Sequence, residues 1–546
     1  MAVAKAWFGR GAVLFALLVT IALPFALRTD RPVSTRADDT VVVITPHNEA
    51  IRSEFARSFS RWYQTKTGRT ITIDWRVIGG TSEIARYLEG EYTASFERHW
   101  TRDLGRPWTT TVQKSFADPR IAPSARPADD TLPQSARRAF LASHASCGID
   151  IFFGGGSYDF IQQAAAGRIV DSGIFERRPE WFTDDVIPER VNGETFWASD
   201  HTWVGAVVSS FGIIYNRDSL ARLGLRREPR DWRDLTDPRL INEVALADPT
   251  KSGSIAKAFE MVLQREMQVR WRELQAGGVT AAAAEAQAVR DGWQRGFAIL
   301  QLMGANARYF TDTSQKPPID VAQGDAAEGM CIDFYGRSAA EIAAARGQRA
   351  RVGFVTPPSG SVYSVDPIAL LRGAPHPGPA LDFIEFVLSP EAQDLWNFRV
   401  GEPGGPQEYA LRRLPVRKDS YTPEKRAHRS DPDENPFAAE NDFNYHYAWT
   451  GQLLREISFL IRVMCIDTHE ELMRAWRDIT ARGSPAEAMA ALQDLTAISY
   501  DATFGPIRTA LHSGRPIDEV RLGKQLAAQF RAQYAKAREL ALATKR

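Results

Sequence analysis

With 546 residues, 67 Lys and Arg against 67 Asp and Glu, and 25% charged residues, the chain has ordinary globular composition and no net charge. Those figures exclude intrinsic disorder and collagen-like or low-complexity classes, and they remove the global electrostatic reason for nucleic-acid binding. Three widely separated cysteines (Cys147, Cys331, Cys465) form neither a disulfide framework nor a zinc-knuckle spacing, and a chain of this length builds large cores without staples.

Lys5 and Arg10 precede an uncharged run over residues 11–27, which Arg28, Asp30 and Arg31 end. Its length falls between a signal-peptide core of about 7–15 residues and a spanning helix of about 20. Residues 1–37 are therefore expected to export the chain, either cleaved as a signal peptide or retained as a single membrane anchor. No other stretch approaches this one in length and apolarity.

Beyond it, short apolar strands alternate with helical patterns. The run VVVI at 41–44 reads as a buried strand, followed by Thr45 as an N-cap candidate with Pro46 at the first helical position. Ile51, Phe55, Phe59 and Trp62 then recur as one helical stripe. Residues 71–77 alternate as a strand, and Gly79-Gly80-Thr81-Ser82 leads into a helix carrying Ile84, Tyr87 and Leu88. Residues 149–153 form a strand, and Gly154-Gly155-Gly156-Ser157 opens another helix. Trp203 and the run 204–215 read as one strand crossing between lobes. The strand at 244–247 runs through Thr250-Lys251-Ser252-Gly253-Ser254 into a helix, and 331–334 runs into Tyr335 and an alanine-rich helix. This alternation predicts βαβ units and largely parallel, helix-covered sheets. Five prolines between Pro107 and Pro133 mark residues 91–146 as a surface insertion, and the proline- and charge-rich stretch 415–437 reads as a linker before a helical tail.

In parallel α/β sheets the ligand crevice lies beyond the carboxyl ends of the strands. A helix N-terminus there offers unpaired N–H groups and partial positive charge, glycine allows close approach, and Ser or Thr adds a donor. Gly79-Gly80-Thr81-Ser82 and Thr250-Lys251-Ser252-Gly253-Ser254 are the two best anion cradles, each with an ordinary capped helix start as its plain alternative. Walker A, GxGxxG, HExxH and GxSxG patterns are absent, so nucleotide binding, zincin chemistry and a serine-hydrolase elbow are unsupported. His47, in the first turn after strand one, and Tyr335 beside Asp333 sit at crevice edges.

Read in order, the segments VVVITPHNEAIRSEF, DWRVIGGTSEIARYL, GIDIFFGGGSYDFIQQAAAGRIV, GIIYNRDSL, DWRDLTDPRLINEVALADPTKSGS and ALDFIEFVLSPEAQDLW resemble the type 2 periplasmic substrate-binding proteins of ABC importers, in the ferric-iron and phosphosugar branch. The resemblance covers about 40–421, apart from 91–146. It implies an α/β, two-lobed type 2 periplasmic-binding-protein fold, to which the helical pattern beyond the resemblance adds a helical C-terminal extension. Lobe one is 40–202 plus 364–430, lobe two 203–363, and the extension 431–546. The implied function is capture of a small anionic solute, a phosphorylated small molecule or ferric iron with an anion, and delivery to an inner-membrane permease. The alternative is an exported sensor or enzyme on the same fold.

The expected ligand contacts are His47, Gly80, Thr81, Ser82, Gly155, Gly156 and Ser157 from lobe one, with Thr250, Ser252, Gly253, Ser254 and Tyr335 from lobe two. No catalytic residue, resident cofactor or nucleic-acid partner is expected. The protein is expected to be a periplasmic monomer. For iron, the family's histidine position falls on His47, its carboxylate position on Gly155, and its tyrosine pair on Phe334-Tyr335, so only His47 and Tyr335 remain as metal ligands and the anionic solute is preferred. Cys147 and Cys331 precede similar strands in different lobes, which favours likeness of βα units over a bridge.

Overall fold

The VVVI run occupies the strand Asp39–Ile44, whose last four residues are buried on both faces, as a central strand between helical layers requires. It lies in a computed structural model describing residues 37–347, 351–438 and 443–544; the apolar run at 11–27 falls outside them. Among the described residues no helix is long and apolar enough to cross a membrane.

Two sheets organise the molecule. The first is ordered Leu414–Pro415, Val204–Ser209, Ser364–Leu371, Ile151–Phe153, Asp39–Ile44 and Ile71–Arg76, with Ile169–Val170 also pairing to Ser364–Leu371. The second is ordered Ala307–Thr311, Val244–Ala247, Glu328–Ile332, Phe211–Asn216 and Val352–Val355. Each holds a parallel trio: Ile151–Phe153, Asp39–Ile44 and Ile71–Arg76 in one, Ala307–Thr311, Val244–Ala247 and Glu328–Ile332 in the other. The remaining principal strands run antiparallel, so the sheets are mixed rather than largely parallel. The reason is the crossing itself, since a strand arriving from the other sheet enters against the βαβ direction.

The crossing strand expected over 204–215 is in fact two strands. Val204–Ser209 pairs in the first sheet and Phe211–Asn216 in the second, with Ser210 between them. The chain returns from Val352–Val355 in the second sheet to Ser364–Leu371 in the first.

Local rules explain several further differences. The first helix is Glu49–Thr67, capped by Asn48, whose side chain accepts from the Ile51 N–H; Thr45 instead turns its hydroxyl to the His47 N–H at 3.1 Å. Its buried stripe is Ile51, Phe55, Phe59 and Tyr63, with Trp62 half-buried beneath the Lys66 ammonium. The second-sheet strand ends at Ile332, and Asp333 opens the helix Asp333–Ala345. The Asp333 carboxylate accepts from the Phe334 N–H at 2.7 Å and from Arg337 one turn on at 2.9 Å, which fixes the helix start. Phe334 and Tyr335 therefore lie on a helix's first turn, not on a strand.

Residues 91–146, largely exposed over 101–135, are anchored by buried aromatic side chains. The helix Thr81–Arg98 runs into them, and Phe96, Phe116 and Phe140 form an aromatic cluster with Phe96 and Phe140 each 4.9 Å from Phe116. These rings belong to the core of the first sheet. The stretch 415–437 is likewise not a free linker. Val416 is buried, Arg417 and Arg429 lie within the fold, and Arg429 stacks 3.8 Å from the Tyr421 ring. Its charges imitate a linker although Arg417 pairs with Asp419, Arg426 pairs with Asp433, and Arg429 donates to the Ser420 carbonyl.

Helices from Leu454–Ile461 to Pro516–Ala543 make up the C-terminal region. Trp449, Leu460, Trp476, Phe530 and Tyr534 share one continuous core with Ile213, Phe259, Trp293 and Phe297 around the second sheet. Cys147, Cys331 and Cys465 are all buried free thiols.

Candidate functional site

Three long helix N-termini converge where the sheets face each other. Thr81–Arg98 begins after Gly80, Ser157–Ala166 after Gly156, and Gly253–Ala276 after Ser252. The first two starts have no side-chain cap, so their leading N–H groups stay available. The Ser252 hydroxyl accepts from the Ile255 N–H at 3.4 Å. The lobes touch here. A methyl group placed on Gly80 would stand 2.9 Å from the Lys251 carbonyl oxygen, and one on Gly253 would stand 2.9 Å from the Thr81 hydroxyl. Gly154 and Gly155, with φ of +90° and +113°, pass directly beneath the His47 ring and the Thr81 methyl group, where a side chain has neither backbone freedom nor room.

Between the lobes lies a cleft of about 520 Å³. Of the twelve residues expected from the sequence, His47, Gly80, Thr81, Gly155, Ser252, Gly253, Ser254 and Tyr335 line it together. Gly156 and Ser157 line a smaller chamber of about 50 Å³ beside it, with Asp159, Glu194, Lys257 and Tyr445. Ser82 and Thr250 face neither. Both line a separate groove on the far side of the helix starts, and the Thr250 hydroxyl is held by Asp248 at 2.7 Å.

The cleft floor is built on Arg413, which sequence reasoning missed. Its side chain is 1% exposed. Nη2 binds Asp366 and the Ser209 hydroxyl, each at 2.7 Å, and Nη1 lies 3.2 Å from His47 Nε2. The guanidinium also stacks 4.7 Å from the Phe334 ring, and its Nε has no partner. Burial alone would raise the Asp366 carboxyl, but Arg413 and His47 hold it below the usual range. Burial, reinforced by the Arg413 charge, lowers His47, so the imidazole is neutral. Burial pushes the Tyr335 hydroxyl up to about 12. Asp159, in the first turn of Ser157–Ala166, is pushed up to about 6 by burial, opposed by its hydrogen bond with Thr81.

This donor set does not fit ferric iron. His47 and Tyr335 both face the cleft, but a permanent cation stands against His47 and the nearest carboxylate, Asp366, is already paired to it. Hard Fe(III) needs anionic oxygens, and beside His47 the cleft offers a single tyrosine and no free carboxylate next to it. Among the described residues no group of three or more His, Cys, Asp or Glu side chains is placed to hold a metal ion. What the arrangement offers is N–H donors, hydroxyls and a buried guanidinium, which suit an oxyanion.

Residues 148–410 match the family model described as bacterial extracellular solute-binding protein. An uncharacterized protein of Haemophilus influenzae is 28% identical over 246 residues, 45% of this chain and 60% of that protein. A gamma-aminobutyric acid-binding protein of Pseudomonas aeruginosa is 29% identical over 241 residues, 44% of this chain and 58% of that protein. The chain thus spans about three fifths of the length of these curated relatives. Among solved structures, the periplasmic binding protein AfuA of Actinobacillus pleuropneumoniae, with fructose-6-phosphate bound, aligns over 78% of this chain and 99% of its own at 16% identity and a TM-score of 0.49. Iron-bound HitA of Pseudomonas aeruginosa aligns over the same shares at 16% identity and a TM-score of 0.44.

Proposed function

We propose that this chain, with an extracellular solute-binding domain over 148–410, captures a small anionic solute in the inter-lobe cleft and delivers it to a membrane permease of an ABC importer. The observation that carries the reading is the meeting of the Thr81–Arg98 and Gly253–Ala276 N-termini, one from each lobe, above the buried Arg413. An anion seated there draws on both lobes at once, so its binding favours the closed form. Lobe one (40–202 with 364–430) and lobe two (203–363), the latter sharing its core with the 431–546 extension, would separate at Ser210 and at 356–363 to admit and release it. The place of action follows from the expected export of residues 1–37, which makes the protein periplasmic.

A phosphorylated small molecule fits best, because a phosphate monoester presents three oxygens to donors that arrive from three directions. The cleft wall also carries Glu83 and Asp312 as well as Arg52 and Lys251, and this mixed lining supports a second reading, a zwitterionic amino-acid-like solute.

Native mass spectrometry of the purified protein, set against its denatured mass, identifies any retained ligand. Calorimetric titration with glucose 6-phosphate and with γ-aminobutyrate then separates the two readings. Thr81→Ala combined with Ser252→Ala removes two donors and is expected to weaken phosphosugar binding roughly 5- to 150-fold, at about 0.5–1.5 kcal/mol per hydrogen bond. Equal affinity in that double variant refutes the site.

A further inference from the structure

Ser82 and Thr250, the two cradle residues that turn away from the cleft, look into a different space. Their groove, of about 760 Å³, lies between lobe one and the C-terminal helices. It continues into a second groove of about 1320 Å³ that extends along residues 113–120 on one wall and 504–514 on the other. Glu89, Tyr158, Arg168, Arg455 and His512 belong to both, so the two form one elongated channel.

The channel is basic in a chain with no net charge. Eight Lys and Arg side chains line it against four Asp and Glu, with Arg86, Arg120 and Arg455 ion-paired to Glu83, Asp118 and Glu519. The positive groups are spread along its length: Lys251 near the cleft, Arg168 and Arg455 in the middle, Lys114 and Arg508 at the far end.

Arg168 is the centre of the argument. It is 8% exposed, yet among the described residues no carboxylate lies within ion-pair distance of it. Nη1 donates to Gln163 Oε1 at 3.1 Å, and Nε has no partner. Buried arginines are normally paired, because an uncompensated guanidinium in a low-dielectric wall is costly. Arg413, buried at the wall of the inter-lobe cleft, has Asp366 at 2.7 Å. Arg168 forms no ion pair, feels the Glu89 charge only at longer range, and has its side chain at the channel wall.

We infer that this channel is a second ligand site, distinct from the inter-lobe cleft, which takes a linear multivalent oxyanion of the polyphosphate type with one anionic group on Arg168 and the others on Arg455, Lys114 and Arg508. A single phosphate cannot reach all of these groups, and the spread of charge selects a ligand with several anionic centres in line. The walls come from lobe one on one side and from the C-terminal helices, joined to the second-sheet core, on the other. A bound polyanion therefore bridges the same two bodies as the cleft ligand.

The test is calorimetric titration of the full chain with inorganic tripolyphosphate at low and moderate salt. Saturable binding is expected, weakening steeply as salt rises. Lys114→Gln with Arg455→Gln, both exposed positions, is expected to weaken it at least roughly tenfold by removing two charge-assisted contacts. The cleft variant carrying Thr81→Ala and Ser252→Ala is expected to leave it unchanged, and circular dichroism melting confirms that each variant is folded. Absence of tripolyphosphate binding in the parent protein overturns the site. So does loss of binding in the cleft variant with retention in the groove variant. Binding to phosphatidylglycerol vesicles without any binding of soluble tripolyphosphate overturns it too, in favour of a membrane surface.

Discussion

Replacing Gly80 by Ala isolates lobe closure from folding. Gly80 sits at φ −74° and ψ 179°, extended backbone that alanine adopts freely, so the substitution introduces no strain within lobe one. The added methyl group meets two things: the Lys251 carbonyl oxygen at 2.9 Å and the Glu83 carboxylate at 3.2 Å. The Glu83 side chain can swing aside. The carbonyl is backbone of the opposite lobe, so the lobes must part by about half an ångström or the contact stays compressed, at a cost of about 1–3 kcal/mol for overpacking. That penalty falls only on the closed form, and so it appears as a loss of ligand affinity of roughly 5- to 150-fold with an unchanged ligand-free melting temperature. Calorimetry with the solute identified in the purified protein, or with glucose 6-phosphate, reads the affinity, and scanning calorimetry without ligand reads the fold. Unchanged affinity shows that the lobes do not close against each other at Gly80. A fall in ligand-free stability shows that the contact is part of the fold rather than of closure.

Three other outcomes are expected. The Asp159 carboxyl, pushed up to about 6 by burial, holds more protons in the closed structure than in the unfolded chain between about pH 4 and 6, so its ionisation costs stability as pH rises through that window. Asp159→Asn is expected to stabilise the protein by about 1–3 kcal/mol above pH 6 and to lose that gain below pH 4, as read from urea midpoints across pH; a pH-independent difference contradicts the assignment. Arg413→Met leaves Asp366 without its buried partner and is expected to cost about 3–5 kcal/mol, with Asp366→Asn recovering part of the loss in a double-mutant cycle. Removing residues 443–544 strips Trp449, Leu460, Trp476, Phe530 and Tyr534 from a shared core, each worth about 1.5–3 kcal/mol, so the truncated chain is expected to fail to give a soluble monomer by size-exclusion chromatography.

The parts legible in the sequence were those with a local cause. Strands such as Val244–Ala247 announce themselves as apolar runs, and the starts at Gly80, Gly156 and Ser252 announce themselves as small or hydroxyl residues ahead of a helical stripe. Arg413 carried no such mark. In LRRLPVR nothing separates it from Arg412 or Arg417; it reaches the cleft floor because the chain folds back there, with the Arg413 N–H donating to the Trp396 carbonyl at 2.8 Å. The orientation of Ser82 and Thr250 was equally hidden: successive residues in a helix's first turn point in different directions, and Thr250 sits in the turn before its helix with its hydroxyl held by Asp248. For the C-terminal helices, periodicity shows that a face is buried but not what buries it, and the partner turned out to lie around Trp293 and Phe297.

That shared core also sets the order in which the molecule can be made. The first sheet needs strands from Asp39–Ile44 through Leu414–Pro415, and the core around the second needs the helix Pro516–Ala543. The two bodies are interleaved along the chain, so a nascent polypeptide several hundred residues long still lacks pieces of both. Such a chain stays incompletely folded until late in synthesis, with distant segments to bring together and slow, loop-limited folding to follow. Over that interval the apolar strands of both sheets stay exposed to solvent, which makes the nascent chain prone to aggregation unless something shields it.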